Sequence, residues 1–76
     1  MAAYILIQTE VGASARVAAE VAAIKGVKSA EAVTGPYDVI ARAEATDLDE
    51  LGKLVVGRIQ AVAGVTRTLT CPVVHM

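Results

Sequence analysis

Tyr37 and Asp38 follow directly on Gly35-Pro36, inside the stretch VTGPYDVIARAEA at residues 33–45. A hairpin turn uses Gly for positive φ and Pro for its fixed φ, and Asp adds a hydrogen bond to turn backbone. It has no need of a phenol beside a carboxylate. The same residues could make a small binding site. Backbone N–H groups near Gly35 could cradle a carboxylate. Asp38 could accept from an ammonium group in a charge-assisted bond. Tyr37 could wall the pocket and offer its hydroxyl. An α-amino acid carries both charges on neighbouring atoms and suits such a site. Pro36 removes one donor from the cradle.

The other constellations have plainer readings. Thr66, Thr68 and Thr70 recur with the period of a strand and are ordinary strand residues; of the three, Thr70, near the strand's end, is the candidate to line a pocket. Cys71 and His75 could supply two metal ligands, but a structural zinc site takes four, and the chain has no other Cys or His. No metal is expected. Cys71 reads as a small core residue and His75 as a solvated tail residue. Arg42 and Glu44 share a strand face with Asp38 and read as a salt-bridged or interface row. There is no nucleophile–base motif and no phosphate-binding glycine loop. Neither catalysis nor a cofactor is expected.

The elements that hold these residues form one unit written twice. The first half runs AYILIQTE, SARVAAEVAAIK, GVKSAEAVTG; the second runs YDVIARAEA, DLDELGKLVVGRIQAVA, GVTRTLTCPVV. Each is strand, helix, Gly-Val, strand, and Gly26-Val27 and Gly64-Val65 stand half a chain length apart. Val17, Val21 and Ile24 share one helical face, as do Leu48, Leu51, Val55 and Ile59. Asp47 with Glu50 makes a capping-box-like start. Gly26 and Gly64 stand where a helix C-terminus takes a left-handed residue.

In the third strand Val39, Ala41, Ala43 and Ala45 alternate with Asp38, Ile40, Arg42 and Glu44. The first strand is apolar on both faces, with Ile5 and Ile7 against Tyr4 and Leu6, which marks a central strand covered on both sides. In the fourth, the threonines alternate with Val65, Leu69, Cys71 and Val73. The order βαββαβ with right-handed crossovers predicts an α+β, ferredoxin-like plait: a four-stranded antiparallel sheet with both helices on one face. The bare sheet face needs a partner, so a homodimer is expected.

Bulk composition agrees with one small domain over residues 1–76. The chain is 55% hydrophobic without Phe or Trp, so its core is built from Val, Ile, Leu and Ala. A domain this small is marginal alone, another reason to expect buried subunit contacts. Net charge is −1 and the seven basic residues are scattered. That excludes the basic footprint of direct nucleic-acid binding. One cysteine rules out an internal disulfide and fits the cytoplasm. No apolar run reaches the ~20 residues of a membrane span, and the N-terminus has no signal-peptide pattern.

On TGPYDVIARAEA, the helix-Gly-Val-strand junctions IKGV and VAGV, and the threonine-bearing GVTRTLTCPVV, the whole chain resembles the effector-binding (RAM) domain of the Lrp/AsnC regulators. That family carries a Gly-x-Tyr-Asp turn, matched by Gly35-Pro36-Tyr37-Asp38. The resemblance implies a plait of the dimeric α/β-barrel type. It also implies dimers assembled into rings, and a small effector bound at the turn where dimers meet. Family members carry an N-terminal helix-turn-helix; this chain opens on the first strand and resembles a stand-alone effector domain.

The expected function is therefore an oligomeric sensor with a transcription-regulatory role. It would bind an amino acid or similar metabolite at Thr34, Gly35, Tyr37, Asp38 and Thr70. Two other readings stay open. One is a ligand-free assembly module that co-assembles with full-length Lrp/AsnC regulators. The other is a small monooxygenase-like enzyme on the dimeric α/β-barrel plan, which would need a roomy cleft between helices and sheet.

Overall fold

Alternation in the strands and glycine punctuation between elements lay out the chain in the computed structural model, which describes residues 1–76. In order these are β1 (Ala2–Thr9), α1 (Ser14–Ala22), β2 (Val27–Ala32), β3 (Val39–Glu44), α2 (Leu48–Leu54), a π-helical turn over Val55–Ile59, and β4 (Val65–Pro72). The strands form one four-stranded sheet in the order β2-β3-β1-β4, with every pairing antiparallel. This is the ferredoxin-like plait the element order predicts.

The registers decide what each face holds. Residues opposite one another in a sheet share a face. Ile5 lies opposite Ala41 on one side and Thr70 on the other; Ile7 lies opposite Val39 and Thr68. This is the helix side. Ala3, Ile5, Ile7, Val39, Ala41 and Ala43 meet Val17, Val21, Leu51, Val55 and Ile59 there in one buried cluster. No polar side chain is buried in it. Small alanines in β3 let the helices approach the sheet closely.

The second face has no cover within the chain. Leu6 lies opposite Ile40 and Leu69, and Tyr4 opposite Arg42 and Cys71. Tyr4 is 43% exposed, Ile40 37% and Leu69 46%. Arg42 lies over the Tyr4 ring at 5.3 Å from the centroid, and its Nη1 donates to the Tyr4 hydroxyl at 3.0 Å. So β1 is central, as its two apolar faces indicate, but only its Ile5–Ile7 face is covered by the chain itself. Cys71 is exposed rather than a core residue, because its position on β4 points to this open face.

Helix ends follow the sequence signals. Asp47 Oδ1 accepts from the Glu50 N–H at 2.9 Å. Gly26 and Gly64 have φ of 98° and 97°, the left-handed conformation that an L side chain adopts only with strain.

Three details differ from the local pattern. The second helix does not stay α-helical: after Leu54 it widens, and the Gln60 N–H bonds the Val55 carbonyl five residues back. Leu48 does not join Leu51, Val55 and Ile59 in the core but is 63% exposed, because it lies in the first turn of α2, at the mouth of a cleft. Val65 does not face the open side with Leu69. A register shift between Gln8 and Thr9 against β4 brings it opposite Thr9, and it packs on the core.

Candidate functional site

The turn between β2 and β3 is built from Thr34 to Asp38, and its ends are fixed by backbone bonds. The Val33 N–H donates to the Asp38 carbonyl at 2.9 Å, and the Asp38 N–H to the Ile7 carbonyl at 2.9 Å. Gly35 has φ of 139° with open space where a Cβ would stand. Its positive φ, not crowding, selects glycine here.

Asp38 does more than close the turn. Its Oδ2 accepts from the Thr9 N–H at 2.7 Å, tying the turn to the end of β1 instead of to turn backbone. Gln8 Nε2 donates to the Pro36 carbonyl at 3.1 Å. The turn is thus clamped from β1 at two points. Gln8 and Thr9 stand 28 and 29 residues before their partners. No local pattern announces them, and sequence reasoning missed both.

What the clamp leaves over is a set of groups without intramolecular partners. The N–H groups of Thr34, Gly35 and Tyr37 make no hydrogen bond within the chain; nor do Asp38 Oδ1 and the Tyr37 hydroxyl. Three donors, one carboxylate oxygen and a phenol lie on five consecutive residues. Thr34 is exposed, and Tyr37 and Asp38 are half-buried.

Thr70 stands elsewhere. It lies opposite Ile5 in β4, whereas the turn hangs from Ile7 and Thr9 on the β3 side. Within one chain, then, Thr34, Gly35, Tyr37 and Asp38 come together and Thr70 does not join them. Thr70 lines a cleft of about 340 Å³ between α2 and β4, with Leu51, Val55 and Thr68 among the other lining residues.

A wider hollow of about 550 Å³ lies beside Lys25, Glu44, Glu50, Lys53 and Arg58. Its charges have both signs and lie at the surface, and Lys53 stands 3.7 Å from Glu50. It reads as a solvated depression. The larger hollow is therefore not the better site; the turn has the unpartnered groups. No three of the His, Cys, Asp and Glu side chains gather to hold a metal ion. No helix is long and apolar enough to cross a membrane.

Comparison with known proteins places the chain in a family. The sequence pattern of the Lrp/AsnC ligand binding domain matches residues 2–76. The chain belongs to the Lrp/AsnC ligand-binding domain family. An uncharacterised HTH-type transcriptional regulator of Pyrococcus furiosus is 33% identical over 54 residues, covering 71% of this chain and 36% of that protein. The chain thus spans about a third of the length of the curated relatives it matches. Among solved structures, a protein of Thermus thermophilus superposes with a TM-score of 0.91 at 29% identity, covering 99% of this chain and 94% of that one. A transcriptional regulator of Neisseria meningitidis, solved as a complex with L-Met, superposes with a TM-score of 0.83 at 25% identity. That match covers 97% of this chain and 49% of the other. The family is one of ligand-binding domains, and the curated relatives the chain matches are HTH-type transcriptional regulators.

Proposed function

We propose that residues 1–76 form one Lrp/AsnC sensor domain that binds a free α-amino acid at the Thr34–Asp38 turn. The observation that carries the reading is the set of unpartnered groups on that turn. The N–H groups of Thr34, Gly35 and Tyr37 receive the ligand carboxylate. Asp38 Oδ1 accepts from the ammonium group while Oδ2 keeps hold of Thr9. Tyr37 covers the ligand's side chain. Amino-acid chemistry is also supported by the related Neisseria regulator, solved with L-Met.

The turn is open to solvent on one side, so a neighbouring subunit completes the pocket; Thr70 lines the cleft between α2 and β4 of its own chain instead. Homodimers form across the sheet face of Tyr4, Leu6, Ile40 and Leu69, and dimers assemble further into a ring. The ligand strengthens the contact it sits in, and by reciprocity assembly strengthens ligand binding. This domain acts in the cytoplasm as a sensor and not as an enzyme, and its scattered basic residues make no direct nucleic-acid contact.

A thermal-shift scan against the free amino acids tests this. A ligand that binds only the folded form adds about 2.7 kcal/mol at a hundred times its Kd. A shift with one or a few amino acids, lost in Asp38→Asn, is the expected result. Asparagine keeps an oxygen for the Thr9 N–H and turns the other, charged acceptor into an NH2 donor that repels an ammonium group. No shift with any amino acid overturns the proposal and leaves a ligand-free assembly module.

A further inference from the structure

The cleft between α2 and β4 is a second place where a small molecule fits, and its chemistry is unlike that of the turn. Its lining contains no charged residue. One wall is apolar: Leu51 and Val55 are buried at its base, while Leu48 and Val56 stand at its rim, 63% and 66% exposed. The polar part of the lining is Gln60, Thr68 and Thr70. Gln60 Nε2 donates to Thr68 Oγ1 at 2.8 Å. That bond fixes the amide, leaves the Gln60 carbonyl oxygen free to accept, and leaves the Thr68 and Thr70 hydroxyl protons free to donate. At about 340 Å³ the cleft is within the range of small-ligand sites, which are typically mostly apolar with a few placed polar groups.

The backbone supplies an independent observation. The π-helical turn over Val55–Ile59 lends Val55 and Val56 to the lining of this cleft, and it ends at Gln60. Such turns are uncommon, and they gather at functional sites. Here the widened turn brings the Gln60 amide to β4, where it meets Thr68.

We propose that this cleft binds a small neutral molecule with a branched apolar body and a single hydrogen-bonding head, such as a carbonyl, amide or hydroxyl. The body covers Leu48 and Val56, which the chain alone leaves in water. The head bonds to Gln60 and the two threonines. A free amino acid fits worse, because any charge that enters the lining loses water and meets no opposite charge there. The cleft and the turn are separate sites with opposite preferences.

The test uses isovaleramide as probe and isovalerate as its charged counterpart, followed by amide chemical shifts of the intact chain. Isovaleramide is expected to give saturable shifts confined to residues 48–60 and 68–70; isovalerate at the same concentration is not. Gly52 lines the cleft and has open space around the position a Cβ would take. Gly52→Leu should fill the mouth and abolish the shifts, and the variant should stay folded because leucine is the better helix former. Absence of saturable shifts with isovaleramide overturns the proposal. So do equal shifts with isovalerate, or shifts that survive Gly52→Leu. Shifts at these residues that follow protein concentration instead of probe would show the cleft to be a subunit contact, which also overturns it.

Discussion

Asp38 divides its work between two oxygens, and two substitutions separate the parts. Oδ2 holds the Thr9 N–H at 2.7 Å in a half-buried position. Asp38→Ala removes that acceptor and strands the donor. A hydrogen bond to a charged group is worth ~1.5–3 kcal/mol; partial exposure favours the low end, about 1.5 kcal/mol here. In a domain of this size that lowers Tm by about 6–12 °C. Asp38→Asn retains an oxygen for Thr9, so it costs about 0.5 kcal/mol, the gap between a charged and a neutral bond. The assay is urea unfolding followed by circular dichroism, with both variants and the parent at one protein concentration, because assembly couples to apparent stability. Alanine should move the midpoint clearly, asparagine slightly, and neither should change the m-value. If alanine and asparagine unfold alike at the parent's midpoint, the clamp between turn and β1 contributes nothing and the reasoning fails. If Asp38→Asn binds an amino acid as tightly as the parent, Oδ1 is not the ammonium acceptor.

Ile40→Glu together with Leu69→Glu places charge on the open sheet face, and sedimentation should show a smaller species that keeps its circular dichroism spectrum. An unchanged mass would show that subunits meet elsewhere. Ile5→Ala empties the centre of the core, where Ile5 is wholly buried. The expected loss is ~2–5 kcal/mol, a large share of the stability of so short a chain, and would appear as a collapsed urea midpoint; a small shift would mean the helices close over the gap. Asp47→Ala removes the cap on Glu50 at 2.9 Å and should cost about 1 kcal/mol, read as faster exchange of the Glu50 amide. Exchange at the parent rate would show that water caps the helix equally well.

Much of the fold is legible where a residue's local pattern and its tertiary place coincide. The alternation of Val39, Ala41 and Ala43 against Ile40, Arg42 and Glu44 separates the two sheet faces correctly. Gly26 and Gly64 mark both helix ends through a conformation that other residues adopt only with strain. Asp47 and Glu50 mark a helix start because capping is local. The misses have a common cause. Leu48 has the right spacing for the core but lies at the helix's first turn, beside the cleft. Val65 has the wrong parity for the core until the register shift corrects it, and that shift belongs to the pairing of two strands. The π turn leaves no mark in the spacing of Leu51, Val55 and Ile59. At the turn, the residue types Gly35, Tyr37 and Asp38 single out the segment whose polar groups the structure leaves without partners. The Gln8 and Thr9 contacts that hold it come from β1, and Thr70 lies beside Ile5, not beside the turn.

The widened turn also bears on how the chain could change length. Leu51, Val55 and Ile59 recur every four residues, and in an α-helix each such step drifts about 40° around the axis. Spread over a wider turn the drift is absorbed, so all three stay buried. The helix thus carries one residue more than its stripe requires. Excising Gly57, which touches nothing a side chain would meet, should return the segment to α-helix with the apolar positions at spacings of four and three, still on one face. The last turn would slide back by one residue without rotating. Length variants among related chains should therefore concentrate at this point of the second helix, where a gain or loss of one residue leaves the core in phase.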